Sequence, residues 1–346
     1  MIKPILHTIL ILFICLLGVS TMNAQDIHFS QFYQSPLLLN PSLTGHIPGK
    51  YRINAMYRRQ WPTITSGRPV YETPMIGFDM NLLRTEDKFN SLGLGITLMN
   101  DRNSGGLLNN IEVMGSVAYH LDLKKNMKTY LSAGLQAGVI NKRLDAEEIL
   151  FFNEIDDEGM ETLPDKEFFE NTSIWLPDFR LGLTFSGFPS AKTRYKIGAG
   201  LYHLTQPKES FFDDDNKLPL RVVVHADGRF GSTGFGVEPK ILFQTQAKAM
   251  ELVGGLLFNI NIVRKASLYL GGDVRVDGGV DGIGLDSGNA IIGLRLDDWD
   301  VGFSYDFNIS DLSNATGGRG AIEFSLLKIF RRAYKVEPIL PAIRYN

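Results

Sequence analysis

Between Arg194 and Asp227 the chain alternates with a period of two, and the charges fall on one side of that alternation. Tyr195, Ile197, Ala199 and Leu201 take turns with Lys196, Gly198, Gly200 and Tyr202. After a polar, proline-bearing segment from Thr205 to Pro219, Leu220, Val222, Val224 and Ala226 take turns with Arg221, Val223, His225 and Asp227. Such a period marks a pair of strands with two unlike faces. The charged face also carries Gly198 and Gly200, which suits an interior that is polar but crowded. The other face is aliphatic and aromatic from end to end. An apolar outside around a polar inside is the pattern of a β-barrel in lipid.

The same unit recurs along the chain. Besides these two strands, apolar faces predict others at 51–61, 75–82, 91–99, 111–121, 129–140, 178–186, 239–247, 250–260, 267–276, 289–296, 300–308 and 320–329, fourteen in all. An even number is what bacterial barrels require. Connector length supports the count. Those at 62–74, 100–110, 141–177, 205–217, 277–288 and 309–319 are long and alternate with shorter ones, with 248–249 as the exception. Short periplasmic turns and long outer loops would put both chain ends in the periplasm. The inward faces collect Arg52, Arg58, Arg180, Lys196, Arg221, Lys240, Arg275 and Arg295 against Asp79, Glu112, Asp227, Glu251, Asp273, Asp306 and Glu323. Near-balance predicts mutual pairing and a filled lumen, since a selective ion path would be lined by one sign.

Met1 to Ala24 has the form of a signal peptide. Lys3 supplies the charge, Ile5 to Val19 the apolar core, and Met22-Asn23-Ala24 the site of cleavage before Gln25. The apolar run is short for a membrane span, and Ile14 before Cys15 does not fit a lipoprotein signal. Cleavage removes Cys15, the single cysteine, and with it any disulfide or thiol chemistry. Export combined with alternating strands selects the outer membrane. A formal net charge of −3 leaves no basic excess for nucleic acid. Residues 25–49 do not alternate, and Pro36, Pro41 and Pro48 exclude a long helix or a central strand there. This segment is expected to strap or plug the barrel of residues 50–330, and 331–346 to form a periplasmic tail. Residues 142–174 hold eleven acids and three bases and are expected to form an acidic extracellular loop.

No enzyme constellation emerges. Gly45-His46-Ile47-Pro48-Gly49-Lys50 is one residue short of a phosphate loop and continues with Tyr51. The six histidines form no metal-spaced pair. His203 is a candidate base, weighed against a packed histidine at a strand end. Asp277 to Gly288, DGGVDGIGLDSG, is either a calcium loop or a plain hairpin loop rich in turn residues. Trp61, Trp175 and Trp299 fall near strand ends, where aromatic girdles belong. No cofactor and no metal is expected.

Three blocks carry a family resemblance. Gln25-Asp26-Ile27-His28-Phe29-Ser30-Gln31-Phe32 with Pro36-Leu37-Leu38-Leu39-Asn40-Pro41 resembles the opening signature of the PorP/SprF family. Gly198-Ala199-Gly200-Leu201-Tyr202-His203-Leu204-Thr205-Gln206-Pro207 is similar to its strand-to-loop motif, and Gly302 to Ser310 with Leu312-Ser313 to its penultimate strand. The resemblance implies a non-enzymatic outer-membrane component of type IX secretion, in some members linked to gliding. It would bind large adhesins through their C-terminal signal domain and help export or anchor them. Its implied partners are that adhesin domain, other secretion components, and the bilayer with its lipopolysaccharide. The alternative is a FadL-like transporter of hydrophobic small molecules with the Asn-Pro segment as a hatch. Candidate partner-binding residues are Phe29, Phe32, Leu38, Asn40 and Pro41 in the first segment and Glu147, Glu148, Asp156 and Asp157 in the acidic insertion. The insertion and the tail depart from the family pattern.

Overall fold

The computed structural model describes residues 26–61, 71–82, 90–103, 107–123, 128–144, 172–190, 192–211, 215–232, 234–263, 265–279, 282–310 and 313–331. The expected signal peptide, most of the tail, and the acidic stretch with Glu147, Glu148, Asp156 and Asp157 lie outside them.

The strands are β1 (Tyr51–Gln60), β2 (Tyr71–Asn81), β3 (Ser91–Asn103), β4 (Leu108–Asp122), β5 (Thr129–Leu144), β6 (Ser173–Ser190) and β7 (Thr193–Tyr202). There follow β8 (Arg221–Gly231), β9 (Phe235–Gln246), β10 (Ala249–Val263), β11 (Ala266–Gly279), β12 (Gly282–Leu296), β13 (Trp299–Asn308) and β14 (Arg319–Phe330). Each pairs antiparallel with its neighbours in sequence, and β14 closes the cylinder on β1. This is the expected fourteen-stranded barrel. Alternation follows from lipid on one side and packed polar groups on the other. Leu183 is 57% exposed while Thr184 beside it is 2% exposed. So much exposed aliphatic surface on every strand has its counterpart in acyl chains. Aromatic residues gather at both rims, Trp61 against Tyr71 at one and Lys328 over Trp299 at the other.

β1 begins and β14 ends at one rim, where the Lys50 N–H donates to the Phe330 carbonyl at 2.8 Å. That rim carries the β2–β3, β4–β5 and later even-to-odd turns and is here called the turn side. The other is the loop side. Strands outrun their apolar stretches, β6 reaching 18 residues, because the hydrogen-bonded ladder continues where lipid no longer dictates one face. One expectation is corrected by this. The Gly/Asp stretch 277–288 is not a connector, for Asp277–Gly279 belong to β11 and Gly282–Gly288 to β12, paired with a register shift at Arg275/Val276. Glycine suits both a turn and a projecting hairpin, and the ladder decides.

Residues 26–49 fill the lumen with non-strand structure. A 3-10 turn at Phe32–Gln34 leads into α1 (Pro36–Leu39) and a second 3-10 turn at Pro41–Leu43. Proline opens both of the latter pieces, where its missing N–H costs nothing. Asn40 caps the last by accepting the Ser42 N–H at 3.0 Å. Wall glycines allow the close approach: a Cβ on Gly182 would lie 1.9 Å from Asn40 Oδ1. Gly45, at φ +70°, would place one 2.4 Å from Gly93 Cα.

The expectation that both chain ends lie in the periplasm concerns residues outside the described ones, and the strap's course is known from Asp26 onward. Asp26 bonds Gln246, His203 and Arg221, which close β9, follow β7 and open β8 on the loop side. From there the strap runs down past Ser30 at Asp306 and Glu323, crosses the lumen at Asn40 and leaves beside Phe330. The two described ends therefore lie at opposite rims, because the strap spans the lumen before β1 starts.

Candidate functional site

The strap divides the lumen into two chambers. Its upper part is held by a knot of charges. Glu323 accepts the Ser30 N–H at 2.7 Å and the Gln31 N–H at 3.0 Å, and pairs with Arg58. The Ser30 hydroxyl accepts from Arg58 at 2.9 Å and from Arg275 at 2.8 Å and donates to Asp306 at 3.0 Å. A buried arginine is tolerable only with this density of partners.

The loop-side chamber lies above. Arg180 reaches Glu112 at 2.6 Å and Asp178 at 2.7 Å. His203 stands between two carboxylates, with Nδ1 3.2 Å from Asp178 and Nε2 2.5 Å from Asp26. Arg221 adds a contact to Asp26 at 3.3 Å and lies over the Tyr202 ring. Burial would raise the Asp26 pKa, but His203 and Arg221 outweigh it and hold the carboxyl well below the usual carboxylate range. Burial would lower the His203 pKa, and Asp26 with Asp178 reverse the sign and raise it. An imidazole bonded through Nε2 to Asp26, with Asp178 close to its other nitrogen, is a clamp on the strap. As a base it would need a free nitrogen facing substrate. Leu218, from the segment after β7, packs on Ile140 and Leu176 over this chamber, with Lys142 paired to Glu209 beside it.

The sequence candidates in the strap are brought together in the lumen, away from the surface. Phe29 packs with Met56, Met75 and Met99, with half-buried Leu38 against them. Phe32 packs with Leu39, Leu43, Tyr202, Val223, Leu242 and Val253. Asn40 donates to the Leu183 and Ala199 carbonyls at 3.2 and 3.1 Å, and Pro41 is buried beside it. Of the inward charges expected, Arg52 and Asp79 pair at 2.7 Å, and Lys196 and Asp227 at 3.0 Å.

The turn-side chamber is a cavity of about 140 Å³. Tyr33, His46, Phe188, Arg194, Lys196, Lys240 and Arg295 line it, with Asp227 and Asp300. At its wall sits Glu238, 2.9 Å from Arg295 and 3.4 Å from Lys240. Lys240 also lies 3.7 Å above the Tyr33 ring. Glu238 and Asp178 were not among the expected inward acids. Each shares the parity of an inward neighbour, Lys240 and Arg180, so extending the alternation by two residues finds both.

A family model described as type IX secretion system membrane protein PorP/SprF matches residues 21–326 of the chain. No curated protein matches it significantly. Among solved structures, the CymD monoaromatic hydrocarbon channel is 14% identical, with 88% of this chain and 95% of that one covered and a TM-score of 0.48. The Ralstonia pickettii toluene transporter TbuX is 12% identical, with 86% and 94% covered and a TM-score of 0.47. Likeness at this level carries no argument about function.

Proposed function

From the premise that the chain belongs to the PorP/SprF family of type IX secretion membrane proteins, we propose that it is a non-enzymatic outer-membrane component that captures large secreted adhesins. It engages their C-terminal signal domain on its loop side, with other secretion components as further partners and lipid with lipopolysaccharide around it. The observation that supports this division is the occupied lumen. The strap crosses it from rim to rim, and Ser30, Asn40 and Gly45 among others bond to the wall, which favours a platform over a conduit. Phe29 and Phe32 then serve the strap, and partner contact falls to the rim, where the acidic insertion with Glu147, Glu148, Asp156 and Asp157 departs from β5 and β6. With the loop side outward, the turn side faces the periplasm. A transporter of hydrophobic small molecules would need an apolar path, and this wall is lined by arginines and carboxylates.

The test is deletion of residues 147–170. The variant should retain a heat-modifiable barrel and lose surface adhesin by immunoblot on intact cells. Unchanged retention removes the insertion from the capture surface.

A further inference from the structure

The loop-side chamber holds a cavity of about 70 Å³ between the strap and the inner wall. The strap lines one side of it with Phe29, Phe32, Ser35 and Leu38, and Leu218 comes in from the segment after β7. Ile140 of β5 and Leu242 of β9 continue the apolar lining. Against it stand Glu112 of β4 and Arg221 of β8. An apolar pocket with a few convergent polar groups is the usual make of a small-molecule site. Because the strap crosses the lumen from rim to rim, a guest here is held and not passed on.

Among the atoms of these lining residues, Ser35 Oγ, Glu112 Oε1 and Arg221 Nε are buried without a hydrogen-bond partner among the described residues. Ser35 and Glu112 are 2% and 5% exposed. The other ends of the two charged groups are engaged: Glu112 Oε2 lies 2.6 Å from Arg180, and Arg221 Nη1 3.3 Å from Asp26. Buried polar atoms are ordinarily bonded, so their gathering on one cavity points to a guest. Their kinds describe it. A guanidinium N–H only donates, a carboxylate oxygen only accepts, and a hydroxyl does both. An anion would face the Glu112 carboxylate, and a cation the Arg221 guanidinium. A neutral group that donates and accepts suits both. Water alone would leave the apolar lining wet.

We propose that the loop-side chamber binds a primary carboxamide on a short aliphatic stem. At roughly 10–15 Å³ for each water, the cavity has room for about five waters, and so for about six heavy atoms of a solute. Glu112 and Arg221 stand on different strands, β4 and β8, so donor and acceptor belong on separate atoms of the guest. A carboxamide has that arrangement: its oxygen accepts from Arg221, its nitrogen donates to Glu112, and Ser35 serves either. The stem lies against Phe32 and Leu218. The amide can be a free solute or a glutamine side chain of a polypeptide seated on the loop side.

The experiment uses the full-length barrel in detergent and saturation-transfer NMR, with protein-free micelles subtracted. The probes are butyramide, a free amide, and N-acetylglutamine methylamide, an amide on a polypeptide backbone. Saturable binding of at least one is expected, and the tighter binder tells the source. Acetamide, two methylene groups shorter than butyramide, should bind about tenfold more weakly. Butyrate, of the same size but charged, should lose at least as much. Leu218→Trp fills the chamber and should abolish binding. Ser35→Ala should weaken it about fivefold, the share of one hydrogen bond. Ser267→Ala removes another buried hydroxyl without a partner among the described residues, at the turn-side start of β11, and should bind as the unaltered chain does. The proposal is overturned if neither amide binds saturably, if butyrate binds as well as butyramide, or if Leu218→Trp and Ser35→Ala both bind unchanged. The probes on the unaltered chain decide even where a variant fails to fold.

Discussion

The two chambers of this lumen settle their charge differently. Above the strap, Arg58, Arg180 and Arg275 each meet two acids or more, and several of those acids also hold strap backbone or side chain, as Glu323 holds Ser30 and Gln31. Below it, four cations lean on one carboxylate that touches no strap atom within hydrogen-bonding range. The difference separates carboxylates that hold the strap from one that holds only cations of the wall. Removing a member of the first kind should strand a partner. Removing a cation of the second kind leaves Glu238 with three others.

Glu323→Ala tests the first kind most severely. It leaves Arg58 buried with one acid fewer and two strap N–H groups without an acceptor, and should cost about 3–5 kcal/mol in urea unfolding. Phe32→Ala empties the apolar contact between the strap and β7 to β10 and should cost about 3 kcal/mol or more by the same measurement. If either variant unfolds at the parent midpoint, the strap is not held as described.

His203→Gln sharpens the comparison through pH. The raised imidazole pKa means its stabilisation is complete below the ordinary value of 6.5 and fades as pH rises through the higher folded value. The depressed Asp26 carboxyl contributes above its ordinary value of 3.8 and fails only in stronger acid. Both are therefore present between those limits. The substitution should cost about 1.5–3 kcal/mol near pH 5.5 and progressively less in alkali. A pH-independent cost would show that the clamp is packing and not charge. The smallest effect belongs to Lys240→Met, which takes one cation from the crowded side and should change stability by less than about 1 kcal/mol, in either direction. A loss equal to that of Glu323→Ala would erase the distinction between the chambers.

The barrel was legible because lipid imposes its demand on every other residue of every strand, and Ile76, Leu183 or Phe324 can only point outward. Strand ends were less legible. Beyond the lipid, Asn141, Lys142 and Arg143 pair with Trp175, Ile174 and Ser173 without any contrast between faces. The strap's path left no periodic trace at all, since its partners are distant in sequence: Ser30 meets Glu323 across 293 residues. Glu238 is the intermediate case. Its parity was readable, and so was its nearness to Lys240, Arg229 and Arg194 on β9, β8 and β7, but Arg295 reaches it across the lumen from β12.

Passage of the strap from one mouth of the cylinder to the other has a consequence for assembly. The hoop of fourteen strands surrounds residues 26–49, which are continuous with its first stave. Where the staves are set around residues 26–49 as around a mandrel, the last joint to shut is the β1–β14 seam, from Tyr51↔Phe330 to Gln60↔Ala321. That order delays the reward for ordering the mandrel until partners almost the whole sequence away have arrived, which makes for slow folding. It also gives the closed object a mechanical character: residues 26–49 come out only by opening the seam or by sliding lengthwise past every clasp inside.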